Sequence, residues 1–331
     1  LALVLIAALT VCQSTSESDA PLAAPAATVA SPTVSPDQAP VPSPTVTTPP
    51  TSSLKLLDGQ RVVVLGSNVW PLVGSLLALD VVPAGIVSQS GRDGAPGYFT
   101  AAHGDAIDDV PLIETNLFDP DVEALAALQA DLFVLPAGFE SLLSDQLLTV
   151  MGGPETVVFA DVFDWRQALT TIIEKADEDP ADVLAPLDAI YEQRIVEIRD
   201  SLDYDPAEVV FSSFTWQRGQ LQLAPITIPL GRVMTDLGFA IHEPAFPDEF
   251  TMASTEQILQ FDADLVMIQV NSDDGFDFAT LQQDPLWSLA TSQQAGNTFE
   301  RFQYGTQGGW LETLQVLEDL AEYLPIYQHA N

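Results

Sequence analysis

Two carboxylate pairs in this chain share one spacing. In VEALAALQADLFVLPAG, residues 122 to 138, Glu123 precedes Asp131 by eight positions, and in STEQILQFDADLVMIQV, residues 254 to 270, Glu256 precedes Asp264 by the same interval. An alanine stands before each Asp and an apolar run follows it. Paired carboxylates do acid–base work when their environments push their pKa values apart, but among 47 acidic residues mere proximity carries almost no information. No G-x-S-x-G elbow, Walker loop, G-x-G-x-x-G turn or H-E-x-x-H helix occurs, so no enzyme signature accompanies them. A site for bare zinc, manganese or iron needs clustered His with carboxylates, or several Tyr. The three histidines, His103, His242 and His329, lie in unrelated segments. The expectation is a non-enzyme with no metal site and no cofactor.

The formal charge is -37, from 47 Asp and Glu against 10 Lys and Arg. Such a field repels phosphate backbones and anionic lipid surfaces, which excludes nucleic acid as a partner and reads as a solvated acidic surface.

The elements that would position the repeated carboxylates begin after a long preamble. LALVLIAALT is too short to span a bilayer but suits the apolar core of a signal peptide, here without its Met and basic start. The single cysteine, Cys12, follows at once and resembles the lipidated cysteine of a bacterial lipobox, although Val11 departs from the usual small residue. Residues 13–53 are rich in Ser, Thr, Pro, Ala and Val and read as a disordered tether. Signal and lipobox (1–12), tether (13–53) and a body from Leu54 together predict an exported protein anchored to the outer face of the cytoplasmic membrane.

Within the body, buried strands are predicted at Val62–Leu65, Ala84–Val87, Leu132–Leu135 and Val157–Phe159, alternating with helices. The second half repeats this grammar. AEVVFSSFTW (207–216) mirrors RVVVLGSNVW, and a hairpin-like LQLAPITIPL leads to the helix GRVMTDLGF and the strand Leu265–Val270. Between the halves, Pro180 opens a helix whose Leu184, Leu187, Tyr191, Ile195, Ile198 and Leu202 form one apolar stripe. The predicted fold class is α/β: two Rossmann-like lobes with parallel-rich sheets (54–163 and 204–331), joined by a helical connector (164–203), with ligands near the carboxyl ends of the strands.

The Trp-bearing strand exits, E-A-L-A-A-L-x-A-D-L, the long crossover helix, S-T-E-Q-I-L-x-x-D-A-D-L and the closing DPLWSLA, GGW and LEDLAEYL resemble the substrate-binding proteins of ferric-siderophore, haem and cobalamin ABC importers, over residues 56 to 326. The resemblance implies a ligand cleft between the lobes, and Glu123 and Glu256 docking on arginines of the permease. As residues alone, both glutamates also fit helix starts, and Asp131 and Asp264 fit turns into strands. The implied cleft would be lined by Trp70, Arg92, Phe139, Phe214, Trp216, Arg218, Asn271, Tyr304 and Trp310, with Arg92 and Arg218 donating to metal-bound oxygens; Trp287 reads as core. The acidic balance favours neutral or cationic ferric hydroxamates.

The function expected is capture of a ferric siderophore by a monomeric, lipid-anchored receptor that delivers it to an ABC permease and, through it, its ATPase. Cobalamin or haem are the alternative ligands of the same fold; a direct metal-ion binder or an adhesive surface lipoprotein is the second alternative. A single stiff connector predicts modest closure on binding.

Overall fold

The computed structural model describes residues 57, 59–89, 95, 99, 104–115, 121–217, 219–270, 277–301 and 308–328. Leu1–Thr47 separate as a unit outside the described residues, and Thr48–Asn331 form the other unit. Cys12 and the anchor and tether expectations therefore lie outside the described residues.

The first half runs β1 (Val62–Gly66), α1 (Trp70–Ala78), β2 (Gly85–Ser88), β3 (Leu112–Glu114), α2 (Val122–Ala127), β4 (Leu132–Pro136), α3 (Asp145–Val150) and β5 (Val157–Ala160). Its five strands are parallel in the order β3-β2-β1-β4-β5. Every residue of β1 and β4 is buried. Val62 and Val64 enter one core while Val63 and Leu65 enter another, so a strand covered on both faces must be an unbroken apolar run.

Two helices follow: α4 (Trp165–Lys175) and the 22-residue α5 (Pro180–Ser201). Asp179 caps α5 by accepting from Ala181 N–H, and Pro180 takes the first turn, where its missing donor costs nothing. At about 1.5 Å per residue the helix is about 33 Å long. Val183, Leu184, Leu187, Tyr191, Ile195 and Ile198 are its buried face, the predicted stripe with Val183 in place of the half-exposed Leu202.

The second half runs β6 (Val210–Gln217), β7 (Gln220–Leu223), α6 (Pro229–Leu237), β8 (Ala240–Ile241), β9 (Thr251–Ser254), β10 (Leu265–Val270), α7 (Phe278–Gln282), α8 (Thr291–Ala295), β11 (Thr298–Glu300) and α9 (Trp310–Tyr323). Parallel β11, β10 and β6 continue into the antiparallel β7 and β9, while β8 pairs parallel with the start of β6. Thus β6, β8, β10 and β11 repeat the relation of β1, β2, β4 and β5, and the β7 hairpin is the addition. Leu265 and Met267 join the same core as Val62 and Val64, whereas Val266 and Ile268 face a separate outer core. That shared core also takes α1, α4, α5, α6 and α9, so one apolar layer runs through both halves. Among the described residues no helix is long and apolar enough to cross a membrane.

The duplicated carboxylates mark the duplicated strand pair. Asp131 accepts from Arg61 N–H at 2.8 Å, just before β1, and Asp264 accepts from Val210 N–H at 2.9 Å, at the start of β6. Val62 pairs with Leu132 and Phe211 with Leu265, so each Asp satisfies the donor one residue before the first paired residue of the neighbouring strand.

Candidate functional site

In open parallel sheets ligands gather outside the carboxyl ends of the strands where strand order reverses. In the first sheet this is the β1/β4 boundary. A Cβ on Gly66 would lie 2.6 Å from Pro136 Cδ, so only glycine lets the two strands end this close together. The equivalent boundary in the second sheet lies between β6 and β10.

Segments connecting the elements of the two halves meet each other. Gly308 N–H, at the end of the segment leaving β11, donates to Val162 O at 2.5 Å in the segment leaving β5. A side chain on Gly308 would overlap the Phe163 backbone. Phe163 in turn meets Phe250, ahead of β9, at 5.4 Å between ring centroids. Asp164 caps α4 and pairs with Arg232 Nη1 on α6 at 3.0 Å.

Strand alternation gives the inner face of the second sheet two characters. Phe211, Leu265 and Met267 supply its apolar beginning; Ser213, Thr215 and Gln269, all buried, supply a polar carboxyl end, with Thr215 opposite Gln269 in register. Arg301, the residue after β11, reaches over this row. Its N–H donates to Ile268 O at 2.8 Å and its Nη2 to Thr215 Oγ1 at 3.0 Å. The residue is 6% exposed, and neither Nε nor Nη1 has a hydrogen-bond partner. Burial alone pushes the guanidinium down from 12.5 to about 9, still a cation at neutral pH. Ser213 Oγ, on the same face, is likewise buried without a partner. Arg301 follows a three-residue strand, Thr298-Phe299-Glu300, whose pattern carries no linear signal of a buried cation.

The aromatic residues expected in the cleft are mostly core, and those expectations are corrected. Trp70 begins α1 at 3% exposure with its ring 5.1 Å from Phe99. Phe214 lies on the outer face of β6, edge-on to Trp287 at 5.8 Å. Trp310 opens α9 at 1% exposure, edge-on to Trp165 at 4.5 Å. In each case the first helical turn or the strand's two-residue period turns the ring inward. Trp216 shares the outer face of Phe214 but sits nearer the carboxyl edge, at 8% exposure. Phe139 is partly buried after Gly138, whose φ of +92° redirects the chain leaving β4. Trp287 is fully buried, as expected. Arg92, Arg218, Asn271 and Tyr304 lie outside the described residues.

Glu123 and Glu256 are exposed. Asp121 caps α2 by accepting from Glu123 and Ala124 N–H at 3.0 and 2.9 Å. Ser254 accepts from Glu256 N–H at 3.3 Å at the head of a 3-10 helix, Thr255–Phe261. Both side chains thus stand in first turns, where the dipole favours acids. Among the described residues no three His, Cys, Asp or Glu are grouped to hold a metal ion.

No family model and no curated protein sequence matches the chain. Its fold does match solved structures. The triscatecholate siderophore-binding protein FeuA of Bacillus subtilis, solved with ferri-bacillibactin, superimposes with a TM-score of 0.62 at 17% identity, covering 80% of this chain and 91% of FeuA. SirA of Staphylococcus aureus, solved with staphyloferrin B, gives 0.62 at 16%, covering 80% and 92%. The siderophore-binding protein FhuD of Vibrio cholerae, bound to Fe3+-Desferal, gives 0.58 at 18%, covering 82% and 99%. The two linked α/β halves described above are therefore built on the fold of these siderophore-binding proteins.

Proposed function

We propose that this chain is the receptor of an ABC importer, capturing a ferric siderophore between the carboxyl edges of its two sheets and handing it to a membrane permease. The observation that carries this reading is the fold, shared over 80% or more of the chain with proteins solved holding ferri-bacillibactin and Fe3+-Desferal. The buried polar row at the β6/β10 edge suits the oxygen-rich surface of such a chelate, and Trp216 and Phe139 supply apolar surface beside the two edges. Arg92, Arg218, Asn271 and Tyr304 complete the proposed ligand set from the sequence alone. Glu123 and Glu256, one on each half and both exposed, are the proposed contacts to the permease. Cys12 is the proposed lipid attachment, placing the body outside the cytoplasmic membrane.

The test is intrinsic tryptophan fluorescence of the full chain, titrated with ferric carboxylate, hydroxamate and catecholate chelates, haem, cobalamin and free metal ions. Saturable quenching by one ferric chelate at sub-micromolar concentration, matched by iron uptake that Glu123→Ala with Glu256→Ala abolishes without changing affinity, is the expected result. A response to cobalamin or haem alone would reassign the ligand. Silence from all of them would remove the receptor reading.

A further inference from the structure

The cation over the second sheet is at odds with how this molecule treats its other arginines. Among the described residues Arg166 pairs with Asp188, Arg194 with Glu197 and Glu318, and Arg232 with Asp164. Arg61 donates to Leu128 O, and Arg199 to the carbonyls of Asp236 and Leu237. Arg301 alone has only a hydroxyl, although the chain carries 47 carboxylates. It is also the most deeply buried of them, and an uncompensated charge there is costly. Every other described arginine side chain meets a carboxylate or a backbone carbonyl. An arginine kept for a visiting anion would lack both, as Arg301 does.

Resting on the receptor reading above, we propose that Arg301, with Thr215 and Ser213, forms the seat for a carboxylate of the captured iron chelate, so that the protein selects carboxylate-bearing chelates. Nη2 spends one of its two N–H bonds on Thr215. One edge of the guanidinium therefore keeps two parallel donors, the fork that matches a carboxylate. The unpartnered Ser213 hydroxyl lies on the same face of the sheet, two residues upstream of Thr215. Net charge favours neutral or cationic ligands only over distance. Salt screens that field beyond about 8 Å, whereas a desolvated guanidinium acts at contact, where the effective dielectric is low. This reverses the preference for hydroxamates drawn from composition.

The experiment titrates the full-length protein with ferric citrate, a carboxylate chelate, and with ferric desferrioxamine, a hydroxamate chelate without free carboxylates. Wild type is expected to bind ferric citrate more tightly. Arg301→Gln weakens it about ten- to hundredfold, the worth of one charge-assisted contact, and leaves ferric desferrioxamine unchanged. Arg301→Lys recovers part of the loss, because it restores charge without the fork. Thermal melting of each ligand-free variant guards against misfolding; Arg301→Met is expected to melt no lower than wild type, since it removes an unpaired buried cation. Wild type that binds the hydroxamate and not ferric citrate would overturn this proposal and leave the receptor reading standing. Equal losses for both chelates in Arg301→Gln would also overturn it, and binding of no chelate by wild type would overturn both.

Discussion

Replacing Trp310 by alanine separates a core role from a ligand-contacting one. The ring is 1% exposed and lies edge-on to Trp165, which itself stands 6.3 Å from Tyr191 on the inter-lobe helix. Truncating a fully buried Trp costs about 3–5 kcal/mol, of which the edge-to-face pair accounts for about 0.5–1.5. At about 2–4 °C per kcal/mol for a body of this class, the melting temperature falls by about 6–20 °C. Thermal unfolding by circular dichroism reads the loss, and titration below the melting range with whichever ferric chelate quenches wild type reads affinity. The expected outcome is a large fall in melting temperature with chelate affinity changed less than about threefold, below about 0.7 kcal/mol. Melting within 2 °C of wild type together with a tenfold loss of affinity would refute the reasoning, and would put Trp310 in the cleft as its sequence position first suggested.

Asp131→Ala and Asp264→Ala each strand the N–H of the neighbouring strand, and each is expected to cost about 1 kcal/mol in urea unfolding, adding in the double variant because the sites occupy different sheets. Tyr191→Phe removes the 2.6 Å bond to Asp236 that ties α5 to α6, at about 1–2 kcal/mol. Burial first, then that bond, raises the Tyr191 pKa, so its contribution is intact below pH 10 and declines above it; the gap between wild type and Tyr191→Phe should narrow in alkaline melts and nowhere else. Arg301 has the opposite sign, because burial lowers a base to about 9 and the unfolded chain binds the proton more tightly. The lead of ligand-free Arg301→Met over wild type is therefore full below about pH 9 and shrinks from there upward; a lead unchanged between pH 7 and 10.5 would contradict it.

Much of the architecture was legible in the linear chain. Parallel strands buried on both faces must be continuous apolar runs, so VVVLG, LFVLP and LVMIQV announced themselves. A helix wetted on one side must carry a stripe, so Leu184, Leu187, Tyr191, Ile195 and Ile198 marked α5 with its Pro180 start. The repeated Asp was legible as a turn into a strand, but the donors it satisfies, Arg61 N–H and Val210 N–H, lie 70 and 54 residues away in the chain. The strands missed, β3, β8, β9 and β11, span two to four residues each, too few for any period to show. Tertiary structure alone decided which aromatic rings face inward, because a Trp at a strand exit or a helix start reads the same whether its ring packs on Phe99 and Trp165 or lines a cleft. It alone also singled out Arg301. A buried cation is defined by what surrounds it, and the Thr215 hydroxyl that holds it lies 86 residues away in the chain.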